Sequence, residues 1–247
     1  MKTRYQAAFL LAFLLIHPVP AFTASDDDGV PVMRAEGDLW YEDALSEQER
    51  ETLRNNLRQA KANIVEAYGE QKATDTVIIW CKTKTCALFF GGPTMRSFAA
   101  EPGPNRHGGR FYFKKPSIVI LREARAAPGT NLRAMETMTH ELSHREFKAR
   151  LKGATVPAWF NEGTATYLGK EEPCTPTMHA VDKLSELDSP KDWMEYTNRN
   201  NKALINAYCQ ARNEVDRWAQ AHGGFSAVLT LLDKRAHGES FDSIYGG

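Results

Sequence analysis

The spacing of apolar and polar residues predicts a first half of the chain with several strands and a second half of helices. Over 46–68, apolar residues recur at helical spacing and Ser46 is a suitable N-terminal cap, so we predict a surface helix with one buried stripe. The short apolar run at 76–81 is typical of a buried strand. Two more strands are predicted at 110–114 and 117–121.

The second half of the chain is predicted to be helical. A central helix over 131–151 stops before Gly153, and the next helix opens at Pro157 and runs to Gly169. Further helices are predicted over 178–187, 201–222 and 224–236. We therefore predict an α+β fold in which a small mixed or antiparallel sheet packs on the central helix and a helical C-terminal half follows.

The N-terminus has the pattern of a secretory signal peptide. Lys2 and Arg4 precede an unbroken apolar stretch over 7–16, and Val19 and Ala21 place small residues at the −3 and −1 positions of a cleavage site. We predict that residues 1–21 are removed after Ala21. An uncleaved membrane anchor is the alternative, but the stretch is shorter than the ~20 residues that a spanning helix needs.

The rest of the composition favours an exported globular protein. Residues 22–45, which begin with an Asp-rich stretch, are predicted to form a flexible segment, and 46–247 to form one domain. A formal net charge of +0 gives no general attraction to nucleic acid. Since no later segment is long and apolar enough to span a bilayer, we predict a periplasmic or secreted protein without a membrane span after cleavage.

Export also changes the interpretation of the four cysteines. An even number of cysteines in an oxidising compartment predicts two disulfides. Of the three possible connectivities we favour Cys81–Cys86, which closes a short loop after a strand, and Cys174–Cys209, which ties the segment after the second helix to a C-terminal helix. A thiolate metal site is the rival interpretation, but no second pair follows at matching spacing.

The central helix carries the sequence HELSH, from His140 to His144. Two histidines four positions apart leave a helix about 40° apart around its axis, so both imidazoles can reach one metal ion. Glu141 leaves the helix beside them and can approach a metal-bound water without being a ligand. Apolar residues on two sides of the helix predict a central position. The alternative is a helix with two packed histidines and no metal.

The following helix carries Glu162, 18 positions after His144. A turn after Gly153 would let this helix fold back on the central helix, and the small side chains of Gly163 and Ala165 would allow close contact. Glu162 would then be the third ligand of the metal, with water in the open fourth position.

The two segments HELSH and WFNEGTATYL together resemble the gluzincin zinc metallopeptidases, and in particular the bacterial peptidase MA-like proteins. The resemblance covers mainly residues 131–170. It implies one zinc ion per chain at His140, His144 and Glu162, with Glu141 as the general base of a zincin active-site helix.

Two further roles follow from the resemblance. Some gluzincins use a downstream tyrosine to stabilise the oxyanion, and by this resemblance Tyr208 is the expected donor. His179, Tyr167 and Arg212 are lesser candidates. In thermolysin-like members a carboxylate four residues after the ligand glutamate orients a zinc histidine, whereas this chain has Thr166 there. Asn161 or a backbone carbonyl is the expected substitute.

These features predict a zinc-dependent peptidase that hydrolyses a peptide or protein in the cell envelope or outside the cell. An edge strand at 76–81 or 117–121 is expected to bind an extended peptide by strand addition. The main alternative is a zinc-binding envelope protein that has lost catalysis and acts through partner binding, although the presence of Glu141 argues against it. A structural envelope protein with an accidental motif is a third possibility.

Overall fold

The computed structural model describes residues 31–91, 97–104, 111–121, 134–170 and 174–246. Within them the fold is α+β, with a mixed five-stranded sheet, a small two-stranded sheet, and helices concentrated in the C-terminal half. This confirms the predicted fold class. The predicted signal peptide, residues 1–21, lies outside the described residues.

The larger sheet has the strand order β1-β2-β3-β7-β4. β2 and β3, and β3 and β7, pair in parallel, whereas β1 and β4 pair antiparallel to their neighbours. β5 and β6 form the small sheet. The strands are β1 (Met33–Glu36), β2 (Leu39–Glu42), β3 (Val77–Cys81), β4 (Ser97–Ala100), β5 (Gly103–Pro104), β6 (Tyr112–Phe113) and β7 (Ser117–Leu121).

The two apolar runs found in the sequence form the centre of this sheet. Every residue of β3 and β7 is buried, because apolar layers cover both faces of the sheet. Continuous apolar runs of this kind are typical of strands buried on both faces. The expectation that one of them forms an exposed edge is therefore wrong, and the edges are β1 and β4.

The N-terminal hairpin differs from the predicted flexible segment at 22–45. β1 and β2 pair around a tight turn in which Gly37 has φ +62°. Leu39 and Tyr41 are almost completely buried, on alternate positions of β2. Strands of four residues that include charged side chains give only a weak periodic signal in the sequence. For residues 33–42 the prediction of flexibility is wrong.

The helices agree with the sequence prediction at most positions. Ser46 caps α1 in a capping box with Glu49, as the sequence favours. Three short helices, α2, α5 and α8, were not predicted. The helices are α1 (Glu47–Tyr68), α2 (Lys84–Phe90), α3 (Ala134–Leu151), α4 (Ala158–Gly169), α5 (Pro190–Thr197), α6 (Asn201–Ala221), α7 (Phe225–Ala236) and α8 (Phe241–Tyr245).

The predicted helix over 178–187 is wrong, since only Leu184–Leu187 is helical and forms a 3-10 turn. The backbone N–H groups of Ala180 and Val181 donate to Oε1 of Gln210 on α6. In return, Gln210 Nε2 donates to the Val181 carbonyl at 2.9 Å. These backbone groups are paired with a side chain of another helix, so they are not available for helical hydrogen bonds.

Both predicted disulfides are present. Cys81–Cys86 joins the end of β3 to α2, and Cys174–Cys209 joins the segment after α4 to α6. Two disulfides are consistent with an extracellular or periplasmic protein. In the described ranges, every helix is too short or too polar to cross a membrane.

Candidate metal centre

The central helix α3 is buried on two sides, as its sequence predicts. It packs between α1 and α4. Polar contacts also fix its rotation, because the hydroxyls of Tyr68 and Ser143 lie 2.7 Å apart and the Ala73 N–H donates to the buried Glu146 carboxylate at 2.7 Å. The side chains on this part of α3 therefore point in fixed directions.

Three candidate ligand atoms meet at one point between α3 and α4. The Nε2 atoms of His140 and His144 are 3.1 Å apart. Glu162 Oε2 is 3.5 Å from the first and 3.4 Å from the second. A tetrahedral zinc ion with bonds of about 2.0–2.1 Å separates its ligand atoms by about 3.3–3.4 Å. The three side chains thus already have the spacing that such an ion requires, and this group could hold a metal ion.

The electrostatics of the group also suit a cation. Glu162 Oε2 is buried and has no hydrogen bond of normal geometry among the described residues. Burial would raise the pKa of Glu162, but His144 and His140 hold it well below its usual range. Burial would lower the pKa of His144, but Glu162, with a smaller contribution from Glu141, raises it to about 9. A divalent cation can replace the proton on His144 and satisfy the buried carboxylate oxygen.

Asn161 orients one of the two histidines. Its Oδ1 lies 3.0 Å from His144 Nδ1, so the protonated Nδ1 donates to the amide oxygen and Nε2 is left as the ligand atom. Thr166 serves the helix instead, because its hydroxyl donates to the backbone carbonyl of Glu162 at 2.8 Å. Asn161, one of the two partners expected from the sequence, therefore supplies the oxygen that pairs with His144 Nδ1.

Replacing Asn161 with alanine should weaken zinc binding about 10–100-fold, the usual cost of losing the partner of a ligating histidine. The apparent dissociation constant would be measured by competition with a chromophoric chelator. Asn161→Asp keeps an acceptor at this position and should bind zinc at least as well as the wild type. Equal affinity of Asn161→Ala and the wild type would contradict the orienting role.

Glu141 lies beside the three candidate ligands without joining them. Its side chain is buried, and Ser97 Oγ, from the edge strand β4, donates to its Oε1 at 2.5 Å. No local pattern points to Ser97 in the sequence, because the contact joins a short strand to a helix more than 40 positions later.

The structure places Tyr208 next to the site and gives the other oxyanion candidates different surroundings. The Tyr208 ring, on α6, lies 5.9 Å from the His140 ring and contacts Trp193 edge-on. Tyr167 stacks on Phe225 at 6.1 Å. His179 lies on a loop where its carbonyl accepts a hydrogen bond from Asn206, and Arg212 follows Tyr208 by one helical turn.

Gly163 allows α6 to approach α4. A Cβ atom at this position would lie 2.5 Å from the carbonyl oxygen of Ala211 and 2.7 Å from its carbonyl carbon. The small side chain of Gly163 was expected to allow close contact with α3, and the close contact is instead with α6. This approach brings Tyr208, three positions before Ala211, next to the candidate ligand His140.

Gly163→Ala should therefore destabilise the protein by about 1–3 kcal/mol, the usual cost of overpacking, and lower the melting temperature by several degrees. Because the clashing atoms belong to the main chain, Ala211→Gly should not rescue the variant. Thermal unfolding followed by circular dichroism tests both statements. An unchanged melting temperature of Gly163→Ala, or rescue by Ala211→Gly, would disprove this account of the contact.

Comparison of the sequence with models of known protein families gives no match, and comparison with curated proteins gives none either. The chemistry of the residues described above is therefore the basis for inferring a function.

Proposed function

We propose that this protein is a zinc-dependent peptidase of the gluzincin type. The observation that carries the proposal is the triangle of His140 Nε2, His144 Nε2 and Glu162 Oε2, with sides of 3.1–3.5 Å. A second carboxylate, Glu141, stands beside this triangle and is held by Ser97. Three protein ligands with an open fourth position, next to a free base, are typical of catalytic zinc sites.

Zinc is the metal that this donor set favours. Two imidazole nitrogens and one carboxylate oxygen at tetrahedral spacing suit zinc better than calcium or magnesium, which prefer six or more oxygen ligands. A bound zinc ion would lower the pKa of a coordinated water toward about 7 and polarise the carbonyl of a substrate.

The side chains around the ligands divide the remaining tasks. Glu141 accepts a proton from the attacking water and later delivers it to the departing amine. Tyr208, whose ring lies 5.9 Å from the His140 ring, is the proposed donor of a hydrogen bond to the developing oxyanion. Asn161 holds His144 in the tautomer that leaves Nε2 for the metal.

The edge strand β4 is the proposed binding surface for the substrate backbone. In the described part of the sheet it pairs only with β7, so its other side offers N–H and C=O groups to an extended peptide. Ser97, the first residue of β4, contacts Glu141, and a peptide added to this strand would therefore lie close to the base.

The proposed compartment is the periplasm or the extracellular space. Two disulfides support it, together with the signal-peptide pattern over residues 1–21 and the Ala21 cleavage site. We propose a peptide or protein as the substrate and no nucleic acid as a partner.

A peptide-library cleavage assay of the purified mature protein tests the proposal. We expect cleavage with zinc, loss of cleavage after treatment with a chelator, and recovery when zinc is restored. A folded protein that binds zinc but cleaves no peptide in the library would favour the zinc-binding alternative without catalysis. A folded protein that takes up no zinc would refute the proposal.

Zinc binding should depend on pH because His144 must lose a proton first. In the metal-free protein the pKa of this histidine is raised to about 9, so the imidazole is protonated at neutral pH. As the pH decreases below 9, the apparent affinity should fall with a slope that approaches about tenfold per pH unit near pH 7, since one proton competes with the metal. Chelator competition from pH 7 to 9 measures the slope, and a constant affinity over that range would contradict it.

A further inference from the structure

The carboxylate of Glu141 is fixed by the sheet as well as by its own helix. Ser97 Oγ donates to Oε1 at 2.5 Å, and in the part of the chain that the structure describes it is the one side chain that donates a hydrogen bond to Glu141. Arg145, one helical turn further along α3, pairs instead with Glu101 at 2.5 Å. Among the described side chains, this one neutral hydroxyl therefore determines where the buried carboxylate points.

The position of this hydroxyl is itself well defined. Ser97 pairs with Ile120 in the register between β4 and β7. Glu101, just after β4, accepts from Arg145 and Lys148 of α3 and so ties the end of the strand to the helix. The strand and the helix are thus joined at two points, four residues apart on each element, and Ser97 has little freedom to move away from Glu141.

Glu141 lies next to the candidate ligands, but it does not belong to the group whose ligand atoms all lie within 4.8 Å of one another. It directly follows His140 on α3, and its negative charge acts on His144. Carboxylates are good zinc ligands, and three protein ligands leave one position open. A carboxylate that entered this position would exclude the water and could no longer act as a base.

We propose that Ser97 is a positioning residue that keeps Glu141 outside the coordination sphere of the metal. It holds Oε1 on the side of β4 and leaves the second oxygen free to accept a proton. This inference rests on the proposed zinc site, and it assigns Ser97 a role that goes beyond packing. Because Ser97 lies on β4, the same contact would fix the base relative to a peptide bound along that strand.

Cobalt(II), added to the metal-free protein as a spectroscopic substitute for zinc, tests the inference without a substrate. In Ser97→Ala the released Glu141 should take the position of the water, so that the cobalt remains four-coordinate and its visible absorption bands shift. The double variant Ser97→Ala/Glu141→Gln should regain the wild-type spectrum. Ser117→Ala is the matched control. Ser117 lies on the neighbouring strand β7, its hydroxyl donates to the Lys115 carbonyl, and its loss should leave the cobalt spectrum unchanged.

Ser97→Thr and Ser97→Val form a second matched pair, because they differ only in a hydroxyl and a methyl group. Both β-branched residues suit a strand, so this pair answers the question even if Ser97→Ala does not fold. The threonine variant should retain the wild-type spectrum and the valine variant should show the altered one. Identical spectra for Thr and Val, or for Ser97→Ala and the wild type, would overturn the role of Ser97.

Kinetics with any peptide cleaved by the wild type give an independent readout. Ser97→Ala should lower kcat about 10–100-fold, the usual range for losing a supporting hydrogen bond, and leave KM within about twofold. A rise in KM with kcat unchanged would instead show that Ser97 acts only through β4. If the wild-type protein binds neither cobalt nor zinc, the proposed function itself fails. If it binds metal and Ser97→Ala leaves spectrum and kcat unchanged, only this inference fails.

Discussion

Replacing His144 with alanine should remove zinc from the protein and abolish peptidase activity. The substitution deletes one of three ligands and leaves His140 and Glu162 as an incomplete pair. Two remaining ligands cannot close the tetrahedral site that four-coordinate zinc prefers. Elemental analysis after dialysis should give about one zinc per wild-type chain and almost none in the variant.

The matched control for this substitution is His237→Ala. His237 lies at the end of α7 with a side chain that is 65% exposed, so its loss should change neither zinc content nor activity. His140→Ala and Glu162→Gln should behave like His144→Ala, because each removes one of the three ligand atoms of the same triangle. A His144→Ala protein that is folded and keeps one zinc per chain would show that the metal is elsewhere.

Replacing Glu141 with glutamine should leave the zinc in place and reduce kcat about 10²–10⁴-fold, the usual contribution of a general base. Glutamine has nearly the same shape and still accepts a hydrogen bond from Ser97 through its amide oxygen, but it takes no proton from water at neutral pH. The measurement combines zinc content with kcat on a peptide found in the library screen.

Glu136→Gln, in the first turn of the same helix, is the control for a general effect of removing a negative charge from α3. It should keep wild-type kcat. Equal turnover by Glu141→Gln and the wild type would exclude Glu141 as the base. A protein that binds zinc and a partner equally well with either residue would fit the non-catalytic alternative.

The candidate ligands could be found in the sequence because their arrangement is mostly local. The spacing of His140 and His144 follows from helix geometry alone. Glu162 lies on the next helix, and the short connection through Gly153, with φ +95°, brings that helix back against the first. Asn161 could also be found from the sequence, because it directly precedes Glu162. Its side chain leaves α4 about 100° around the helix axis from that of Glu162.

The contacts that depend on the sheet and on α6 could not be predicted in the same way. Ser97 reaches Glu141 only because β4 pairs with β7 at the edge of the sheet that lies next to α3. The approach of Ala211 to Gly163 depends on which face α6 presents, and its amphipathic pattern does not identify the partner helix. Likewise, the backbone N–H groups of residues 180 and 181 donate to the side chain of Gln210, in a distant segment of the chain, instead of forming local helical hydrogen bonds.

The dependence on α6 has a consequence for protein engineering. The direction of Tyr208 is set by the contact of Ala211 with Gly163 of α4 and by the disulfide at Cys209; Tyr208, Cys209 and Ala211 lie within one turn of α6. Moving only α3 and α4 into a new scaffold would transfer the proposed metal ligands without the Tyr208 hydroxyl. The smallest transplantable unit that keeps both is therefore three helices and the disulfide that holds the third.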